Sequence, residues 1–71
     1  MRVTERQAEK VLTGDFTFTQ LGFSMMITRL KLHYAKNPSK ELLEKSTKDI
    51  NDFFDKFPRV MKEDYEIIAK L

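Results

Sequence analysis

The stretch FTFTQLGFSMMIT, residues 16–28, contains no charged residue, although 34% of the chain is charged. Wound as a helix, this stretch and the residues after it place apolar side chains on two opposite faces. A helix that is apolar on two sides must be covered on two sides. The stretch therefore predicts either the central helix of a small bundle or a helix whose outer face contacts another chain.

Two capping boxes predict where the first two helices begin. The two pairs are Thr4 with Gln7 and Thr17 with Gln20. In each pair the threonine oxygen can accept a hydrogen bond from the backbone N–H of the glutamine, and the glutamine side chain can accept one from the backbone N–H of the threonine. We expect Gly14 to end the first helix in the left-handed conformation. Alternatively, residues 16–19 are extended, because FTFT alternates and has strand propensity.

The prolines divide the rest of the chain into two further helices. Asn37-Pro38 predicts a helix start, because asparagine is a good N-cap and proline is favoured at the first helical position. Pro58 should end that helix or kink it, since the residue before proline avoids the α region. A fourth helix is predicted from about Pro58 to the end of the sequence.

The predicted fold is an all-α bundle of four helices, the first of them short, over residues 4–13. The central helix, 17–36, packs in an antiparallel hairpin with the helix over 38–57. Because the chain has only 71 residues, we expect a single helical domain over 1–71.

The two apolar stripes of the second helix differ in what could cover them. The third and fourth helices can cover the first stripe, which consists of Phe23, Met26, Ile27, Leu30 and Tyr34. The short first helix offers little apolar surface to cover the second stripe, so some of its residues should stay exposed in a monomer. An exposed apolar strip marks a protein contact. The predicted protein-binding residues are therefore Phe18, Leu21, Met25 and Leu32.

The size of the chain favours self-association through this second stripe. A core this small rarely supplies more than about 3–5 kcal/mol of stability without help. The chain has no cysteine and one histidine, which leaves no disulfide and no thiolate metal site. Each apolar side chain of the stripe contributes roughly 1.5–3 kcal/mol when it leaves water. We therefore expect a homodimer with a two-fold axis on the stripe.

The sequence does not predict an enzyme. It contains no nucleophile elbow, no HExxH, no phosphate-binding glycine loop and no cysteine nucleophile. Asp49, Asp52 and Asp55 are spaced three apart, but lysines alternate with them, which is typical of a solvated helix face. His33 lies nearer cations than acids. We predict no catalytic, cofactor-binding or metal-binding residue, and no cofactor.

The favoured function is a non-catalytic protein–protein interaction module, a small regulator or inhibitor that acts by binding another protein. The first alternative is a DNA-binding regulator of helix-turn-helix type, although the net charge is only +2 and the early turns of the second helix are apolar. Its candidate nucleic-acid-binding residues are Arg2, Arg6, Lys10, Arg29 and Lys36. A second alternative is a helical protein associated with a membrane surface.

No segment of the sequence indicates export or membrane insertion. The first ten residues, MRVTERQAEK, are charged and lack the apolar region of a signal peptide. No run approaches the roughly 20 apolar residues that span a bilayer. We therefore expect a cytoplasmic protein without a membrane span.

Overall fold

Four helices and no strand make up the fold in the computed structural model, which describes all residues 1–71. The helices are α1 (Glu5–Thr13), α2 (Leu21–Lys36), α3 (Lys40–Lys56) and α4 (Lys62–Ala69). The short connection between α2 and α3 makes them an antiparallel, packed pair. The predicted all-α bundle of four helices with a short first helix is confirmed.

The start of α1 is as predicted, and its end is not. The Thr4 side chain accepts from the backbone N–H of Gln7 at 3.1 Å, and the Gln7 side chain accepts from the backbone N–H of Thr4 at 2.9 Å. Gly14, however, has φ −102° and ψ −170°, which is extended and not left-handed. Space requires glycine here, because a Cβ would lie 2.7 Å from the Lys10 carbonyl oxygen and 2.5 Å from a ring carbon of Phe16.

The helix start at residue 17 is wrong: α2 begins at Leu21, and the second capping box does not form. Residues 15–20 lie outside any helix, and Phe18 is buried in the core. Long-range hydrogen bonds instead hold the residues just before the helix. The buried Asp64 carboxylate of α4 accepts from the backbone N–H of Thr19 at 2.7 Å, from its hydroxyl at 2.9 Å, and from the backbone N–H of Gln20 at 3.1 Å.

The predicted cap of α3 is also wrong. Ser39, not Asn37, is the N-cap, and its hydroxyl accepts from the backbone N–H of Leu42 at 3.1 Å. Asn37 instead ends α2, because its backbone N–H donates to the His33 carbonyl. The next helix can therefore start only after this residue. α3 ends at Lys56, before the proline, and α4 begins later than expected because turns occupy the residues before Met61, its N-cap.

The core draws on all four helices. It contains thirteen buried apolar residues: Val3, Ala8, Val11, Leu12, Phe18, Phe23, Ile27, Leu30, Tyr34, Ile50, Phe54, Met61 and Ile68. Although α1 has only nine residues, it packs against each of the other three helices. The covered side of α2 therefore lies against α1 and α3.

Candidate protein-interaction surface

The inner face of α2 is held in the core by Phe23, Ile27, Leu30 and Tyr34. The Phe23 ring packs edge-on against Phe18, with the ring centroids 5.0 Å apart. The same ring lies 5.4 Å from the ring of Phe54 in α3. This packing fixes the rotation of α2 about its axis, and so decides which residues point outward.

The opposite face of α2 carries large apolar side chains in water. Leu21, Met25 and Leu32 are 75%, 61% and 60% exposed. Thr28 and Ala35 are also exposed, and the five residues follow one another at spacings of four, three, four and three. We call these five residues the outer strip. At 1.5 Å per residue it is about 21 Å long, and the spacing keeps it in one line along the helix.

One open groove lies across the outer strip, and a second lies along one flank of it. Ser24 and Arg29 line one groove together with strip residues. Leu12 of α1 and Lys31 line the other. At about 100° per residue, Arg29 and Lys31 lie about 80° to either side of the centre of the strip. The surface is thus an apolar ridge with a cation on each side.

Phe18 does not belong to this surface, and its assignment as a binding residue is wrong. It is buried, and its ring contacts Phe23 and lies 6.5 Å from the ring of Phe16. The assignment assumed that the helix already included this residue. Because α2 starts at Leu21, Phe18 turns inward instead. The other three assigned residues are at the surface, and their binding role stays a prediction.

The charges of α2 are all of one sign. Its sequence, LGFSMMITRLKLHYAK, contains no carboxylate. Arg29 and Lys36 are exposed and belong to none of the three ion pairs of the molecule, while Lys31 donates to the carbonyl oxygen of Gly14. Cations near the C-terminal end of a helix interact favourably with the helix dipole. They also leave the outer strip in a positive field that no acid of the same helix neutralises.

The structure does not gather the candidate nucleic-acid residues into one groove. Arg2, which precedes α1, lies 3.6 Å from Asp55 of α3, and Lys10 of α1 donates to the Leu71 carbonyl oxygen at 2.9 Å. Arg29 lines grooves with residues of α2 and α3 instead. No groove contains a candidate cation from residues 2–10 together with one from α2.

The aspartates of α3 are engaged with cations. Asp49 lies 3.1 Å from Lys45, and Asp52 lies 2.8 Å from Lys48. The hydrogen bond to Asp52, and then the charge of that carboxylate, raise the pKa of Lys48 above its ordinary value. No group of three or more histidine, cysteine or acidic side chains could hold a metal ion.

His33 is exposed and borders a groove with Arg29, Lys45 and Asp49.

No helix has the length and apolarity needed to cross a bilayer.

Two residues of the outer strip, Thr28 and Ala35, were missed from the sequence. The signal was present, because both continue the spacing that starts at Leu21 and Met25. The predicted binding residues were all large and apolar, so these two smaller residues were omitted.

No protein-family model matches the chain, and neither does any curated protein or solved structure.

Proposed function

We propose that this chain is a non-catalytic protein–protein interaction module, a small regulator or inhibitor that binds another protein through the outer strip of α2. The observation that supports it is the alignment of Leu21, Met25 and Leu32, each at least 60% exposed, on one line of one helix. Single apolar residues on a surface are normal. A continuous apolar patch on a monomer is uncommon and marks a contact.

Self-association is the simplest use of the same surface. A two-fold axis would place the outer strip of one copy against that of another and remove both from water. The homodimer expected from the sequence stays a prediction. It is tested by the sedimentation of the wild-type protein at tens of micromolar.

The test of the module is Met25→Asp, which places a charge within the strip, between Leu21 and Leu32. The matched control is Val60→Asp, because Val60 is an apolar side chain of similar exposure, 52%, outside α2. Both variants should keep the helical circular dichroism of the wild type. We expect Met25→Asp to lose a partner captured from host extract and identified by mass spectrometry, and Val60→Asp to retain it. Equal capture by the two variants would contradict the proposal.

The DNA-binding alternative predicts a different response to salt. Phosphate contacts lose affinity steeply as salt rises, whereas an apolar interface does not. Retention on DNA that falls steeply with salt and is lost on changing Arg29 and Lys36 to glutamine would favour that alternative. Retention on anionic vesicles that depends on Met25 would favour a membrane surface as the ligand.

A further inference from the structure

We propose that the outer strip binds an acidic amphipathic helix of another protein, in preference to a second copy of this chain. The inference rests on the proposed function, since it names the partner of the same surface. Two observations carry it: the linear shape of the strip, and the charges on its two flanks.

The shape of the strip fits a helix. Five exposed residues at alternating spacings of four and three form a straight ridge of about 21 Å, with one open groove across it and one along the side of Lys31. Helices that pack at small crossing angles present this same spacing to each other and place side chains into such grooves. An extended peptide would contact the ridge at only a few points.

The flanks fit acidic residues on the partner. Arg29 lies on one side of the ridge and Lys31 on the other, and Lys36 follows Arg29 by seven residues on the same side. None of the three has a carboxylate within ion-pair distance. In paired helices, the residues beside the apolar seam set which partner is accepted. A partner with glutamate or aspartate beside its own apolar seam would meet all three cations.

A second copy of α2 lacks those acids. If two copies of α2 ran parallel, the cations of one helix would face the same cations of the other. If they ran antiparallel, the cations would face residues 21–28, which are uncharged. Neither arrangement supplies a carboxylate from α2, so electrostatic complementarity favours a different chain.

The probe is a pair of labelled helical peptides of about three heptads with leucine along the apolar seam. One carries glutamate at both flanks and the other carries lysine at the same positions. Fluorescence anisotropy, with the labelled peptide at nanomolar concentration, gives the affinity of the whole protein for each. We expect the glutamate peptide to bind about tenfold more tightly at low salt, and the difference to shrink as salt screens the charges.

The variant Arg29→Glu/Lys36→Glu should reverse this preference. The matched control, Arg59→Glu/Lys62→Glu, makes the same change of net charge at two exposed residues, one just before α4 and one at its start, and should keep the preference of the wild type. Lys31 is left unchanged because it also holds the Gly14 carbonyl. Binding of neither peptide, equal binding of both, or equal effects of the two double variants would overturn the inference.

Two further outcomes separate this inference from the proposed function. A wild-type dimer that Met25→Asp dissociates would assign the strip to a second copy, which overturns the inference and leaves the strip as an interaction surface. If Met25→Asp changed neither self-association nor partner capture, the proposed function would fail, and this inference with it.

Discussion

The inner and outer faces of α2 both carry large apolar side chains, but in opposite environments. Phe23 is fully buried, and Met25, two residues later, is 61% exposed. Packing against α1 and α3 accounts for the inner face, whereas nothing in the fold accounts for the apolar character of the outer one. The comparison shows that the apolar content of α2 exceeds what folding uses, and the surplus is concentrated on one line.

The largest expected effect tests that contrast directly. Phe23→Ala should lower the free energy of unfolding by about 3–5 kcal/mol, because it leaves a cavity among aromatic rings. Met25→Ala should change it by no more than about 0.5 kcal/mol. Urea unfolding followed by circular dichroism, at a protein concentration low enough to exclude self-association, measures both. A loss above about 1 kcal/mol in Met25→Ala would show that the outer strip is part of the fold.

A second, smaller effect concerns the residue that sets where α2 begins. Asp64→Ala should cost about 1–3 kcal/mol, because it leaves the two backbone donors of Thr19 and Gln20 and one hydroxyl without their acceptor. Thr19→Val, which removes only the hydroxyl donor, should cost less. Thermal unfolding shows which of the two variants loses more stability relative to the wild type. If Thr19→Val were the more damaging, the carboxylate would not be what holds the start of the helix.

The smallest effect is a pH dependence at the far end of the inner face. The Tyr34 hydroxyl donates to the Glu9 carboxylate at 3.0 Å, and this bond, then burial, then the charge of Glu9, raise the pKa of Tyr34 above 10.0. The folded state therefore favours the protonated phenol. The resulting stability is fully present below the ordinary pKa and is lost as the pH rises through the raised one.

Tyr34→Phe should remove this contribution to the loss of stability at alkaline pH. Unfolding temperatures measured from about pH 8 to pH 11 should fall less steeply in the variant than in the wild type. Tyr65→Phe, the same change in α4, is the control. It should leave unchanged the part of the fall in unfolding temperature that comes from Tyr34. Identical slopes for wild type and Tyr34→Phe would show that the bond to Glu9 does not form in solution.

Local signals predicted the helices, and long-range contacts decided their exact starts. Thr4 and Gln7 are three residues apart and cap α1 as the sequence indicates. Thr17 and Gln20 have the same spacing and form no cap, because Asp64, more than forty residues later, holds the segment between them. No local pattern marks an acidic residue of an amphipathic helix as the buried partner of a distant backbone.

The candidate surface was predictable to the extent that it depends on helical spacing. Leu21, Met25 and Leu32 share a face in any helix that contains them, and the structure places all three at the surface. Phe18 was misplaced because its direction depends on the residue at which α2 begins. The positions of Arg29 and Lys31 on opposite flanks also follow from spacing, but the absence of a carboxylate within ion-pair distance of them depends on how α1 and α3 pack.

The placement of α1 has a consequence for the order in which the chain folds. The backbone of Val3 exchanges two hydrogen bonds with the buried side chain of Asn51, 48 residues away, and Lys10 reaches the carbonyl of Leu71, 61 residues away. The N-terminal segment thus completes its packing only when the last half of the chain is in place. Contacts of such long separation close late and slow folding relative to a bundle of sequential hairpins. Until they close, the inner face of α2 lacks the cover that α1 supplies, and the chain exposes apolar surface that the finished fold buries.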